Sequence, residues 1–289
     1  MDADTLTASG EETNHEATRG AAVSEGAGPA HRIITILSPK GGAGKTTVGT
    51  NLAVALAARH PRKVVLVDLD LQFGDVASVL RQHPTTTIGD IARRWPVDSA
   101  NLKLALTTHP SGMYTLCAPL TPAEADDVTS VHVAGVLSVL QRSFEYVVVD
   151  TDPGLSERVL SALDVCTDIV MVCATERPSI QGLAKALQAL DVIGLTAPTR
   201  HFLLNRADAK VGLELEEIER TVGATIDVRV PSSIDVVKAT NGGVPIMQSR
   251  SNDSIVKAFE QLADKVDSDR AGAAGSAPTG SRRLFKRKG

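Results

Sequence analysis

Residues Ser38-Pro-Lys-Gly-Gly-Ala-Gly-Lys-Thr-Thr47 constrain this chain more than any other stretch. They join an apolar run at 33–38 to a helical pattern at 46–59. Gly41, Gly42 and Gly44, with Ala43 among them, let the backbone wrap closely, so that successive N–H groups can point at one anion. The following helix adds the positive end of its dipole. A strand–loop–helix unit of this kind is suited to phosphate. Lys45 reaches β- and γ-phosphates, the Thr46 hydroxyl can ligate Mg²⁺, and Thr47 sits beside it in the cradle. The plain alternative is a glycine-rich turn that happens to hold a lysine; the strand before it and the helix after it argue against that.

Two further apolar runs end in acids. Residues 64–67 lead into Asp68-Leu-Asp70, then Leu-Gln-Phe-Gly-Asp75. Carboxylates at i and i+2 of a strand end point the same way, towards the edge where the phosphates would lie. Side by side without a cation they repel, so a nearby Mg²⁺ and lysines give them a reason to exist. An exposed acidic loop is the alternative. The third run, 146–149, ends in Asp150-Thr-Asp-Pro-Gly154. A hydrophobic strand ending in Asp suits a carboxylate that holds Mg²⁺, directly or through water. The Pro-Gly after it can close on a γ-phosphate.

Apolar runs at 33–38, 63–68, 114–117, 146–150, 169–173, 201–204 and 225–230 alternate with helical stretches at 46–59, 122–142, 179–192 and 213–222. Most runs are continuous, as in parallel strands covered on both faces. The expected fold is α/β, a doubly wound, mostly parallel sheet with helices on both faces and a ligand beyond the carboxyl ends of its strands. The 289 residues divide into an acidic arm (1–30) expected to be disordered, a domain at 31–267, a small-residue linker (268–281) and a basic tail (282–289). The net charge of −4 argues against a DNA-coating protein. Cys117, Cys166 and Cys173 are scattered without metal spacing and read as reduced, buried thiols. No apolar stretch is long enough to span a bilayer, and the acidic N-terminus lacks a signal pattern. The expected location is cytoplasmic, with any membrane contact peripheral, at the inner face of the cell membrane.

In the tail, Arg282, Arg283, Lys286, Arg287 and Lys288 surround Leu284 and Phe285. The apolar pair could enter an anionic membrane while the cations bind headgroups, at roughly 1 kcal/mol each. Two tails in a dimer would bind far better than one. A nucleic-acid tail and a solvated end are the alternatives.

The loop also has Pro39 where the standard pattern needs glycine, and a second lysine, Lys40, opens it. This K-G-G-x-G-K-T form resembles the deviant Walker A of the MinD/ParA superfamily of P-loop ATPases, across roughly 31–265. The resemblance implies an ATPase that uses ATP and Mg²⁺ and forms a homodimer on binding ATP. It implies that Lys40 reaches across to the partner's nucleotide and that Asp70 orients the attacking water. Asp68 would belong to the Mg²⁺ shell, beside Thr46 and Asp150. Asn205 would hydrogen-bond adenine and Pro231 would lie beside the base, although each also fits an ordinary turn. Many members carry a second proline where this chain has Asp152.

The segments Asp-Leu-Asp-Leu-Gln-Phe-Gly-Asp-Val-Ala77 and Asp-Thr-Asp-Pro-Gly-Leu-Ser-Glu157 look most like the CpaE/TadZ branch, which places pilus machinery. That branch usually carries an N-terminal receiver-like domain, and here only the short acidic arm precedes the first strand. The resemblance implies a spatial switch with an activating or cargo protein, in pilus, secretion or division-site placement. A partition ATPase that binds DNA nonspecifically, or a non-hydrolysing ATP-bound scaffold, is the alternative.

Overall fold

Valine is the commonest strand residue, with leucine and isoleucine beside it, because both faces of the sheet are covered. The computed structural model describes residues 31–195, 199–208, 213–249 and 253–275; the acidic arm and the basic tail lie outside them. Its strands are β1 (Arg32–Leu37), β2 (Val64–Leu69), β3 (Thr107–Thr108), β4 (Tyr114–Leu116), β5 (Tyr146–Thr151), β6 (Asp168–Ala174), β7 (Thr199–Asn205) and β8 (Val228–Val230). They form one eight-stranded sheet in the order β3-β4-β2-β5-β1-β6-β7-β8. Only the β3–β4 pairing is antiparallel. The helices are α1 (Lys45–Arg59), α2 (Val76–Val79), α3 (Ile88–Arg93), α4 (Ser99–Leu104), α5 (Ser130–Gln141), α6 (Glu157–Val165), α7 (Arg177–Val192), α8 (Leu215–Val222), α9 (Ile234–Gly242) and α10 (Ser254–Gly275).

Alternate strand residues feed opposite cores. Ile33, Val65, Val67, Val147 and Val149 pack with residues of α5, α6 and α7. Ile34, Ile36, Leu66, Val148 and Val170 pack on the other side with α1 and with Phe259 and Leu262 of α10. Each fully buried side chain of this size contributes about 1.5–3 kcal/mol, so the two covering layers hold the sheet. Strand β1 lies between β5 and β6. The loop that follows it therefore emerges at the middle of the carboxyl edge.

Two expectations are corrected. The helix expected at 122–142 is broken into a 3-10 turn (Pro122–Asp127) and α5. Val128 between them is extended, and the Thr129 hydroxyl accepts the His132 N–H to start α5 afresh. Helix α10 runs on past residue 268, where the linker was expected to begin.

At the opposite edge Arg32 and Asp168 form a buried ion pair. The Thr167 hydroxyl donates to Asp168 Oδ2 at 2.6 Å, and His201 Nε2 lies 3.3 Å from Oδ1. Burial alone would raise the Asp168 carboxyl, but hydrogen bonds from His201, Arg32 and Thr167 outweigh it and hold it below the usual range. A carboxyl depressed in the folded state contributes stability above about pH 4, its unfolded value, and loses it as pH falls through the folded value. Asp168→Asn is expected to cost about 1.5–3 kcal/mol at pH 7 and to flatten the acid limb below about pH 4. Urea unfolding across that range measures both; an acid limb as steep as in the unaltered chain would contradict the assignment.

Candidate active site

The phosphate loop opens at Ser38, which is buried at the end of β1, and α1 begins at Lys45. Gly42 and Gly44 have φ of 76° and 98°, the left-handed region that glycine occupies without strain. At Gly44 there is a second reason for glycine. The Asn205 side-chain amide donates to the Ala43 carbonyl at 2.8 Å, and a Cβ on Gly44 would collide with it. Asn205, expected at the base of a nucleotide, thus comes from the end of β7 to brace the loop.

Lys45 is only 7% exposed. Its charge acts on Asp70, Asp150 and Asp152. Asp68 and Asp150 face each other on one rung of the β2–β5 ladder, and both are fully enclosed. Their surroundings differ. Asp68 accepts the Asp70 N–H at Oδ1 and the Val76 N–H at Oδ2, each at 3.1 Å, and so closes the loop that follows β2. Neither oxygen of Asp150 has a hydrogen-bond partner among the described residues. Burial and the charge of Asp150 push the Asp68 carboxyl well up, against the two backbone N–H donors. Burial pushes Asp150 up to about 7. The Thr46 hydroxyl, close by but outside hydrogen-bond geometry, and Lys45 oppose that rise. Asp70 is half-buried, and burial raises it against the pull of Lys45.

Two buried carboxylates on one rung, one of them with both oxygens orphaned, fit a divalent cation. Asp150 and Thr46 are the residues that would hold Mg²⁺. The backbone bonds of Asp68 leave it a place outside the direct ligands.

A cavity of about 620 Å³ opens beside the loop, lined by Gly44, Thr47, Asn205, Pro231, Ser233 and Thr240 among others. Pro231 and Asn205 both line this cavity. A second hollow of about 400 Å³ lies on the loop's other flank, with Lys40, Gly41, Gly42, Glu176 and Arg206 around it. Lys40 is exposed on its rim. The sequence reading overlooked Arg206. Its φ is 56°, its guanidinium donates to the Gly42 carbonyl at 3.4 Å, and it lines both hollows. The signal was there, in its place directly after Asn205 at a strand end.

Residues 31–200 match the AAA domain family model AAA_31. The chain belongs to that family. Within the wider MinD/ParA superfamily it is similar to the septum site-determining protein MinD of Thermotoga maritima, at 26% identity over 81% of this chain and 87% of the other. It is similar at 28% to the chromosome partitioning protein ParA of Myxococcus xanthus, over 75% and 81% of the two chains. Among solved structures, the Pyrococcus horikoshii MinD complexed with Mg-ADP superposes with a TM-score of 0.74 at 26% identity, covering 86% of this chain and all of that one. This MinD/ParA protein is a P-loop ATPase that uses ATP and Mg²⁺. Its broad class is that of positioning and partitioning ATPases. Among the described residues no helix is long and apolar enough to cross a membrane.

Proposed function

We propose that this ATPase is a spatial switch: ATP joins two copies, hydrolysis parts them, and the paired state holds other machinery at a chosen place in the cell. The observation that carries the reading is Lys40, exposed on the rim of an open hollow beside the phosphate loop rather than folded into its own site. A lysine so placed is free to meet the nucleotide of a second copy and to stabilise charge on the transferring phosphoryl group.

Within one copy, the backbone of Gly41, Gly42, Ala43 and Gly44 cradles the phosphates, with Lys45 as their cation and Thr47 beside them. Asn205 and Pro231 line the base pocket. Asp70 orients the attacking water in line with the γ-phosphorus. Thr46 and Asp150 would hold Mg²⁺, with Asp68 beyond them, and the ion would supply positive charge to offset that of the phosphates.

Resemblance to the CpaE/TadZ branch favours pilus or secretion machinery as the cargo, with MinD-like division-site placement as the near relative. The anchor in this reading is an anionic membrane gripped by residues 282–289. Similarity to ParA supports an equal second reading, in which the ATP-bound dimer lies on nonspecific DNA.

Lys40→Ala is expected to retain nucleotide binding in one copy but to lose ATP-dependent pairing and turnover. Light scattering with Mg-ATP reads the first and phosphate release the second; a variant that pairs and hydrolyses normally would remove the role. Co-sedimentation with anionic vesicles or with DNA, in ATP and in ADP, separates the anchors. ATP-dependent pelleting with vesicles that needs residues 282–289 supports the membrane, and salt-sensitive retention on any DNA supports partition.

A further inference from the structure

Asp152 comes two residues after Asp150 and has no role in the site as described. It follows Thr151, the last residue of β5, whose rung partner is Leu69 at the end of β2. Asp70 and Asp152 therefore leave the sheet side by side, one residue beyond the last rung. Asp68 and Asp150 face each other in the same way one step inside it. The backbone is held on both sides of Asp152. The Thr151 hydroxyl donates to the Ile36 carbonyl at 2.8 Å, and the Gly154 N–H donates to the Ser38 carbonyl at 3.1 Å.

The side chain is held too. Ser156 Oγ donates to Asp152 Oδ1 at 3.2 Å and accepts the Val159 N–H at 3.3 Å, as the cap of α6. That contact engages Oδ1 and leaves Oδ2 without a hydrogen bond among the described residues. The charges around Asp152 are Asp70, Arg158 and Lys45. Lys45, the cation that would meet the β- and γ-phosphates, exerts its charge on both Asp152 and Asp70.

We infer that Asp152 and Asp70 hold the attacking water jointly, each accepting one of its two hydrogens. The inference rests on the assignment of Asp70 to that water. Neighbouring strands run about 4.8 Å apart, a gap that one water bridges with two hydrogen bonds of about 2.7 Å. A water that donates both hydrogens to the pair turns its lone pairs away from it, towards the γ-phosphorus. In the reaction a bond forms from the water oxygen to the γ-phosphorus. The bond from that phosphorus to the β–γ bridging oxygen breaks, and its electron pair leaves with ADP. One water proton passes to a carboxylate of the pair, and the other remains on the new phosphate. Asp152 is then a second catalytic carboxylate, acting as a base: Asp70 alone would fix one O–H direction and leave the water free to turn about it.

The opposite role is physically open to a carboxylate beside a triphosphate. It could act as a charge brake, and then removing it would speed turnover. Phosphate release by the full chain decides between them. Asp152→Ala is expected to lower kcat about 100-fold while KM and the binding of ATPγS stay within about threefold. Asp152→Asn keeps one acceptor oxygen and the Ser156 contact, so its kcat should fall between the two. ADP with aluminium fluoride captures the flat phosphoryl group with water in line. Tight binding of that mixture should be lost in Asp152→Ala, a separation from ATPγS binding that a purely structural role would not produce. Turnover unchanged or raised in both variants would overturn the inference. Asp70→Ala in the same assay tests the assignment beneath it: normal turnover there would remove the Asp70 role, independently of what the Asp152 variants do.

Discussion

Lys45→Ala is expected to abolish measurable ATP turnover, a fall of at least about 10³-fold, and to weaken nucleotide binding with it. Lys45 is almost completely buried, and its charge acts on three acids around the phosphate position. With alanine there, a triphosphate entering the loop would meet those acids without the cation that offsets them. A tenfold change in rate corresponds to about 1.4 kcal/mol, so the expected loss is about 4 kcal/mol of transition-state stabilisation. The fold should survive, because Lys45 is the first residue of α1 and alanine favours a helix. Calorimetric titration with Mg-ATP and a phosphate-release assay measure the two effects. Hydrolysis at the unaltered rate would contradict the assignment of the loop.

Asp70→Ala is expected to lower kcat about 10²- to 10³-fold and to leave Mg-ATP bound. The contrast with Lys45 comes from the local structure. Asp70 holds its loop through its backbone N–H, which donates to Asp68 Oδ1, and alanine keeps that bond. The substitution removes the half-buried carboxylate on which the Lys45 charge and the Phe73 N–H act, while the bonds of Asp68 to Asp70 and Val76 still close the loop. The loop stays built and the water loses an acceptor, so the nucleotide remains intact in its site. Single-turnover kinetics separate binding from chemistry; a variant that loses ATP binding in parallel with turnover would show that Asp70 serves the loop rather than the water.

Much of this site was legible because its determinants are short-range. Gly41 to Thr47 lie in one stretch, and Asp68 and Asp150 each end an apolar run. Parallel strands bring such ends to one edge whatever the connections. What the sequence hid depends on contacts between distant residues. The Asn205 amide reaches the Ala43 carbonyl across 162 residues, and no local pattern shows that Gly44 must lack a side chain to admit it. The rung that opposes Asp68 to Asp150 is a matter of register between β2 and β5, so the difference between their oxygens could not be read from spacing. The same register gives Asp152 its neighbour.

Helix boundaries failed for a local reason. Ala and Glu in 122–127 favour a helix and read as a backward extension of α5, but Thr129 is a better start signal, and Val128 before it is extended. The inward row Ile255, Phe259, Leu262 and Val266 of α10 had the spacing of a buried helix face and was passed over. The two-residue strand β3 has no periodicity at all; it exists because Thr107 and Thr108 meet Thr115 and Tyr114 of β4.

The central claim is that ATP itself joins two copies. The most direct measurement is the mass in solution of Asp70→Ala, by size exclusion with light scattering, in Mg-ATP and in Mg-ADP. The account predicts a stable dimer with ATP, because binding is intact and hydrolysis cannot release it, and a monomer with ADP. A monomer in saturating Mg-ATP, with nucleotide demonstrably bound, would contradict it.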